Sequence, residues 1–548
     1  MTRAEIVYTG GRFLTLDPGR PMAEALAVSG GRLVAVGSDA EILALAGPGT
    51  RRRAMCGRFA MPGLIESHTH GLWGACRDLY EVYVGHGADA ETLGRAVAER
   101  AATAPEGQWV TGGPWRLDMA PALGMTPRAW LDRLAPEHPV ALADFSQHAI
   151  WANSRALALA GLDAPGLTIP GGVIERDADG APTGMLAETA IGPLRRLMAF
   201  TPAQLSAAYD TLQSYFHRLG YTGFKEPMAD EAGLACYADA FDEGRMRMHM
   251  AAHITVFSPL DASTVPLDQV DRMRVTYARP DLKTSFAKLF LDGVAPTHTA
   301  SFLQPYLPHL GYDPATHDPD ATLLLRPEVL NRLMTDLDAR GYVVKTHAVG
   351  DNAIRKVLDA VAAARAANGN SGLRHEIAHT PFVDDADLPR FAQLGVVAEV
   401  SPKLWLPNAA TPAQRAVLGD GRMTRLHRIR TYLDHGAEVI FGTDWPAAAP
   451  DADPWTGLAG MLTRQDVQGR YRGTLNADEA IPLDRALPLF TRNAARAMGR
   501  EGEVGQLTTG AWADFIVLPE DLRAMSPAEI AVMAVQETVW KGETVHAV

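Results

Sequence analysis

Two histidines separated by a single residue, His68 and His70, directly follow an apolar run at residues 61–65. Alternate residues of a β-strand face the same side, so both imidazoles are expected to point in one direction. Two nitrogen donors on one face can chelate a borderline metal ion such as zinc. Surface and core histidines also occur at this spacing, so the pair by itself leaves metal binding open.

Three further side chains of similar chemistry, His347, His379 and Asp444, each come after an apolar, strand-like run. Taken singly, each is explained equally well as a satisfied buried histidine or a helix-capping aspartate. In a barrel of eight parallel strands, however, the carboxyl ends of all strands meet on one face, where active sites form. Because all five residues share the strand-end position, the pattern favours one metal-binding cluster.

A lysine, Lys288, lies within the largely apolar run 286–293, where burying a cation is costly. A neutral lysine can react with carbon dioxide, and the resulting carbamate carries two oxygen ligands that can bridge two metals. A lysine paired with Asp292, or one whose ammonium group reaches solvent, explains the same position. From the residues alone, carboxylation of Lys288 therefore stays open.

Apolar, strand-like runs alternate with helix-like stretches through the middle of the chain. This alternation is typical of parallel strands joined by crossover helices. We therefore predict an α/β fold with a (β/α)8 TIM barrel over residues 61–484. Its eight strands are expected at residues 61–65, 222–224, 248–252, 286–290, 342–345, 374–378, 395–398 and 437–441.

The two ends of the chain carry short β-rich runs separated by turn residues. Neither residues 1–60 nor residues 485–548 offer enough strands to close a core alone, so we expect them to pair into one small β-sandwich domain, with the last helix included in the second segment. Residues from about 75 to 200 exceed what the barrel needs and include a strand-like run at 140–144. They are interpreted as an inserted subdomain after the first barrel strand, placed to cover the mouth of the site.

Composition limits the classes of partner. The chain has 548 residues, of which 47% are hydrophobic and 21% charged, and its formal net charge is −13. An acidic globular protein is a poor partner for nucleic acid or an anionic membrane. Three dispersed cysteines favour neither a disulfide framework nor a cysteine metal site, and no run has the length of a signal peptide or membrane span. We expect a cytoplasmic protein with a small-molecule substrate, and a homodimer is left open.

Together these motifs resemble the amidohydrolase superfamily, more narrowly its amidohydrolase-3 branch, which includes N-substituted formamide deformylase-like proteins. The resemblance covers nearly the whole chain. It rests on residues 62–70 (PGLIESHTH), 148–157 (HAIWANSRAL), 288–293 (KLFLDG), 347–351 (HAVGD), 374–379 (RHEIAH), 442–446 (GTDWP), 491–495 (TRNAA), 505–507 (GQL) and 513–515 (ADF).

The resemblance implies a divalent metal centre, with zinc as the expected ion and one or two metals per chain. The implied ligands are His68, His70, Lys288, His347, His379 and Asp444. In that scheme the first histidine pair and Asp444 hold the more buried metal, the second pair holds the other, and a carbamate on Lys288, formed from carbon dioxide, bridges them. Glu226, after the second predicted strand, is an alternative source of the carboxylate.

The reaction implied by the resemblance is metal-dependent hydrolysis of a C–N bond in an amide, an N-formyl amine or a cyclic amide. Asp444 would be the catalytic proton shuttle between the attacking water and the leaving nitrogen. Ester or lactone hydrolysis, deamination and decarboxylation on the same scaffold stay open, as does a metal-binding homologue without catalysis. The candidate substrate contacts, each also explained as a packing or surface residue, are Trp115, His148, His298 and Lys403.

Overall fold

The structure, a computed structural model, describes residues 3–85, 87–144, 149–258, 263–308, 312–404, 406–408 and 410–548. The chain divides into two compact units. The first unit consists of Met1–Gly71, Asp210–Ser258 and Thr264–Val548, and the second of Leu72–Tyr209 and Pro259–Ser263.

An eight-stranded parallel sheet lies at the centre of the first unit, and all eight strands predicted from the sequence are present in it. Numbered in chain order as barrel strands 1 to 8, they are Leu64–Glu66, Tyr221–Ala229, His249–Thr255, Leu282–Phe290, Val343–Ala348, Glu376–His379, Val397–Val400 and Glu438–Phe441. Each strand pairs with the next. Ser67 N donates a hydrogen bond to Phe441 O at 3.0 Å, which links strand 8 to the end of strand 1 and leaves the barrel nearly closed.

Helices follow the barrel strands, as expected when parallel strands need crossover connections. The helices that lie within the first unit are Asp39–Leu43, Glu231–Asp242, Leu267–Tyr277, Pro327–Ala339, Asp351–Asn368, Leu388–Leu394, Ala410–Met423, Ile429–Asp434, Pro454–Thr463, Leu483–Phe490, Arg492–Ala497 and Pro527–Ile530. The helix Pro202–Leu219 runs into barrel strand 2. None of the helices in the described ranges is long and apolar enough to cross a membrane.

The run predicted as the first barrel strand is divided at Gly63, which corrects its expected start. Phe59–Pro62 pairs with Phe515–Leu518 from the other end of the chain, and only Leu64–Glu66 enters the barrel. A Cβ at Gly63 would lie 2.3 Å from the Thr222 side chain, so the chain can pass this point only without a side chain. The change from one sheet to the other therefore takes place at a single residue.

The two ends of the chain share one core. One six-stranded sheet consists, in order, of Glu543–Ala547, Glu537–Trp540, Phe515–Leu518, Phe59–Pro62, Arg12–Leu14 and Met22–Ala23. A four-stranded sheet consists of Arg32–Gly37, Ala25–Ser29, Ala4–Thr9 and Ala46–Ala54. The rings of Tyr8 and Phe515 lie 4.9 Å apart in a cluster of buried side chains from both ends. The N-terminal segment thus completes its core with strands more than 450 residues away.

The second unit contains its own six-stranded sheet. In order, its strands are Gly172–Arg176, Pro182–Glu188, Ala149–Ala152, Val140–Asp144, Val110–Trp115 and Val82–Tyr83. The run predicted at residues 140–144 is one of them. The helices that lie wholly within this unit are Ala90–Thr103, Pro127–Leu134, Ser154–Leu159 and Gly192–Leu197. The helix Gly71–Tyr80 belongs to it from Leu72 onward.

Candidate metal centre

Imidazole nitrogens and carboxylate oxygens converge where barrel strands 1, 6 and 8 end. The Nε2 atoms of His68 and His70 lie 3.5 and 3.4 Å from the same atom, Asp444 Oδ1. His379 Nδ1 lies 3.9 Å from the other oxygen, Asp444 Oδ2. All four residues are buried. The donors therefore face one another among buried side chains.

The spacing of these donors fits a tetrahedral metal ion. Zinc binds imidazole nitrogen and carboxylate oxygen at about 2.0–2.2 Å, which places two tetrahedral ligands about 3.3–3.6 Å apart. The distances from Asp444 Oδ1 to His68 and His70 fall within that range. The ligand atoms of these three residues all lie within 4.8 Å of one another. His68, His70 and Asp444 therefore fit the metal ion that the sequence pattern predicts.

The backbone around Asp444 is shaped to bring it against His68. Asp444 N donates to His68 O at 2.8 Å, and Asp444 has a φ of 57°, in the left-handed region. A Cβ at Gly442 would lie 2.4 Å from the Cβ of His68, so only glycine permits this approach. The sequence Gly442-Thr443-Asp444 is thus a turn whose form depends on contact with strand 1.

His347 joins the cluster from the end of strand 5. Its ring centroid lies 4.7 Å from that of His379, and its Nε2 lies 3.3 Å from Gly293 O, which leaves Nδ1 as the donor atom available to a ligand. Burial lowers the pKa of His347 to about 4 and that of His379 well below its usual value, and neighbouring positive charge adds to both shifts. Both rings are therefore neutral near pH 7, as metal ligation requires.

Lys288 lies 1% exposed inside the barrel, with Nζ 4.6 Å from the centroid of the Phe290 ring. Burial lowers the pKa of Lys288 to about 7, and the positive charge of Lys345 acts in the same direction. Neither exposure of the ammonium group to solvent nor pairing with Asp292 explains the position of this lysine. Its ammonium group does not reach solvent, and Asp292 instead accepts the backbone N–H groups of Ser301, Val349 and Gly350, each at 2.9 Å.

Glu226 lies on the far side of the His70 ring from Asp444. Its Oε1 is 3.7 Å from His70 Nδ1, whereas His70 Nε2 faces Asp444. Glu226 Oε2 accepts a hydrogen bond from Tyr237 OH at 3.0 Å. The carboxylate is thus positioned behind the imidazole rather than among the converging donors.

Sequence reasoning missed a set of buried charges beside this cluster. The residues are Lys225, Lys345, Glu376 and Glu399, all 0% exposed. Glu399 Oε2 lies 2.5 Å from His68 Nδ1. The available signal was a charged residue inside an otherwise apolar strand, as in residues 397–400 (VAEV). The same signal was used for Lys288.

The first predicted substrate contact, Trp115, lies in the core of the second unit. It is 0% exposed, its ring stacks on that of Trp151 at 4.3 Å, and its Nε1 donates to Leu142 O at 2.7 Å. The structure gives this side chain a packing role. A second candidate in this segment, His148, lies outside the described residues.

The other two predicted substrate contacts belong to the first unit. His298 is half-buried with a φ of 59°, and its ring centroid lies 5.0 Å from that of Tyr306. Lys403 is half-buried and pairs with Asp451, and burial lowers the pKa of Lys403 to about 8. Neither residue contacts the converging donors through a hydrogen bond or ion pair that the structure describes.

Residues 56–546 match the amidohydrolase family. The chain therefore belongs to the amidohydrolase family, which confirms the resemblance of its motifs, and it is a hydrolytic enzyme. It is 28% identical over 530 residues to Protein LONG AFTER FAR-RED 3 of Arabidopsis thaliana, across 94% of this chain and 87% of the relative. It is also 28% identical over 556 residues to an N-substituted formamide deformylase of Arthrobacter pascens, across 96% of each chain.

Among solved structures, the fold is similar to that of an uncharacterized metal-dependent hydrolase from Pyrococcus horikoshii OT3. The TM-score is 0.77 at 22% sequence identity, across 99% of this chain and 100% of the other. This likeness shows a common fold.

Proposed function

We propose that this protein is a metal-dependent hydrolase that cleaves a C–N bond of a small molecule. The observation that carries the proposal is the convergence of His68 Nε2 and His70 Nε2 on Asp444 Oδ1 at 3.5 and 3.4 Å. Two imidazole nitrogens and one carboxylate are a ligand set typical of catalytic zinc, which keeps a further position for water or substrate. Zinc is therefore the ion that we assign.

A second metal would be held by His347 and His379, with a carbamate on Lys288 between the two ions. The support for this is that Lys288 is buried and that burial lowers its pKa to about 7, so a reactive neutral amine is present near neutral pH. Lys345 is also buried, but its carboxylate partners raise its pKa, which keeps it a cation. Of these two lysines, Lys288 is the one suited to carboxylation.

A divalent metal held by His68, His70 and Asp444 would acidify water and polarise a carbonyl group. Asp444 accepts the proton of the attacking water and delivers it to the leaving nitrogen, because its carboxylate lies among the donors rather than behind them. Burial lowers the pKa of His68, His347 and His379, so these imidazoles do not compete with Asp444 for that proton.

The substrate class that we propose is an amide, an N-formyl amine or a cyclic amide. The N-substituted formamide deformylase of Arthrobacter pascens, 28% identical across 96% of this chain, supports the N-formyl amines as the first compounds to test. Ester or lactone hydrolysis and deamination use the same acidified water, so they are alternative outcomes of the test.

The test compares metal-free protein, prepared with a chelator, with protein reconstituted with Zn²⁺ and bicarbonate. A panel of N-formyl amines, cyclic amides, lactones, esters and aminopurines is incubated with each, and release of formate, amine or ammonia is measured. We expect turnover of a C–N substrate only in the reconstituted protein and its loss in Asp444→Asn. Folded protein that takes up no metal would overturn the proposal, and turnover confined to esters would replace the substrate class.

A further inference from the structure

Four fully buried charged side chains from four barrel strands form a continuous chain of contacts beside the candidate metal centre. Lys225 Nζ donates to Glu376 Oε1. The other oxygen, Glu376 Oε2, lies 3.2 Å from Lys345 Nζ, and Lys345 Nζ donates to Glu399 Oε2 at 2.7 Å. Two basic and two acidic side chains thus lie in contact in the barrel interior, where burying one of them without a partner of opposite sign is costly.

This chain of charges ends on His68. Glu399 Oε2 lies 2.5 Å from His68 Nδ1, and Lys345 Nζ donates to the carbonyl oxygen of Ser67 at 2.6 Å. One end of the chain thus holds both the imidazole ring of His68 and the backbone immediately before it. The opposite ring nitrogen, Nε2, is the one that faces Asp444 Oδ1 at 3.5 Å.

Building on the metal-dependent function proposed above, we propose that Glu399 is a positioning residue that sets the orientation and tautomer of the metal-ligating His68, and that Lys345 holds Glu399 in place. A carboxylate that accepts Nδ1–H leaves the lone pair on Nε2, directed at the metal, and makes that nitrogen a stronger donor. Lys345 Nζ donates to the same oxygen, Glu399 Oε2, at 2.7 Å and so fixes the position of the carboxylate beside His68.

Stability of the fold does not account for these residues. The interior of a (β/α)8 barrel is ordinarily filled by Val, Ile and Leu, and replacing a buried ion pair by apolar side chains of similar volume is often neutral or stabilising. In addition, Glu399 Oε1 is buried and accepts no hydrogen bond from the residues that the structure describes. An unsatisfied buried oxygen costs free energy. The position of Glu399 is explained by what it does to His68.

The chain offers a matched control in a second buried histidine. His249 Nδ1 lies 3.0 Å from Asp281 Oδ1, and its Nε2 lies 2.8 Å from Asp514 Oδ2. His249 thus has a carboxylate at each nitrogen and lies outside the cluster of converging donors. Asp281→Asn removes one charge from a histidine–carboxylate contact of the same kind without touching the candidate centre.

The experiment measures Zn²⁺ affinity by competition with a chromophoric chelator, using full-length protein whose folding is checked by circular dichroism. We expect Glu399→Gln to weaken Zn²⁺ binding by about 10- to 100-fold. Asp281→Asn should stay within about twofold of the parent. With Co²⁺ in place of Zn²⁺, the visible absorption bands should shift in Glu399→Gln and not in Asp281→Asn, because only the first variant alters the hydrogen bond to a metal ligand, His68.

A second variant and a second measurement cover the case in which Glu399→Gln does not fold. The double variant Lys345→Met/Glu399→Gln removes one charge of each sign and should show the same loss of affinity. In the unaltered metal-free protein labelled with ¹⁵N-histidine, the His68 ring should carry its proton on Nδ1. A folded variant with parental Zn²⁺ affinity, or a proton on Nε2 of His68, would overturn the role of Glu399.

Failure of the proposed function gives a different result. If the unaltered protein binds no Zn²⁺, the metal-dependent function is wrong and the role of Glu399 fails with it. If the unaltered protein binds Zn²⁺ and the Glu399 variants bind it equally well, only the positioning role is wrong.

Discussion

The carboxyl group of Glu66 accepts the backbone N–H of Thr443 at 3.0 Å through Oε1 and at 3.1 Å through Oε2. Glu66 ends barrel strand 1 and Thr443 follows strand 8, so this contact joins the two strands where the barrel closes. Glu66 Oε1 also accepts His68 N at 2.8 Å, and Oε2 accepts Tyr221 OH at 3.2 Å. One buried side chain therefore holds the backbone on both sides of the candidate metal centre.

Removal of the Glu66 carboxyl group should destabilise the protein. In Glu66→Ala the N–H groups of His68 and Thr443 lose their acceptor inside the protein, and each unsatisfied buried donor costs about 1–3 kcal/mol. Urea unfolding followed by circular dichroism measures the free energy of unfolding. Glu520→Ala is the control, since the Glu520 side chain is 56% exposed and should contribute within about 0.5 kcal/mol. Equal stabilities of the two variants would contradict the role of Glu66.

Asp444→Asn should keep the fold and lose turnover. An amide cannot accept the proton of the attacking water, and the loss of general acid–base catalysis costs about 10²–10⁴-fold in kcat. The rate is measured at saturating Zn²⁺, so that weaker metal binding is not mistaken for lost catalysis. Asp385→Asn serves as the control, because that side chain is 64% exposed and pairs with Arg428. A folded, metal-loaded Asp444→Asn with near-parental kcat would exclude Asp444 as the proton shuttle.

Lys288→Met should lower the metal content from two ions to one per chain. Methionine keeps the apolar volume of the lysine stem but cannot form a carbamate. Elemental analysis gives the stoichiometry, and ¹³C NMR with labelled bicarbonate should show a carbamate signal in the parent that is absent in the variant. The control is Lys283→Met on the same strand, where Lys283 donates to Gly499 O away from the site. Unchanged metal content in Lys288→Met would rule out the bridging carbamate.

Asp281 should contribute stability that disappears in acid. Burial alone would raise its pKa, but hydrogen bonds and charge from His249 and Lys541 outweigh burial and lower it to about 2. Because this folded-state pKa lies below the unfolded value of 3.8, the contribution is complete above about pH 4 and is lost as pH falls towards 2. At 1.36 kcal/mol per pKa unit it amounts to about 2 kcal/mol.

Asp281→Asn should therefore lower the free energy of unfolding at pH 7 by about 2 kcal/mol. It should also flatten the decline in stability between about pH 4 and pH 2 relative to the parent. Urea titrations at pH 7, 4 and 3 measure both effects. If parent and variant lose stability in parallel over this range, then Asp281 does not titrate as its surroundings indicate.

Much of the fold, and many of the candidate metal ligands, can be predicted from local sequence patterns. Eight strands were predicted and eight are present, because apolar runs of strand length between helix-like stretches are local signals. His68 and His70 could be assigned to one face from the two-residue period of a strand. Convergence of His379 and Asp444 on that face follows from the rule that parallel barrel strands end together.

Features that depend on contacts with distant segments of the chain could not be predicted from the local sequence. Gly63 was included in a barrel strand, although Phe59–Pro62 pairs with strands from the C-terminal end. Trp115 was a candidate for substrate contact, and only its stacking on Trp151 shows that it packs in a core. In both cases the deciding contact lies outside the local segment.

The sequence by itself determined the types of side chain available for chemistry and the strand ends that carry them. Only the tertiary structure decided how burial and neighbouring charges shift the pKa values of these groups. Lys288 and Lys345 both lie in apolar strands, yet Lys345 contacts Glu376 and Glu399 while burial lowers the pKa of Lys288 to about 7. The physical reason is that the ionisation of a buried group depends on the charges within a few ångströms, and those charges come from other strands.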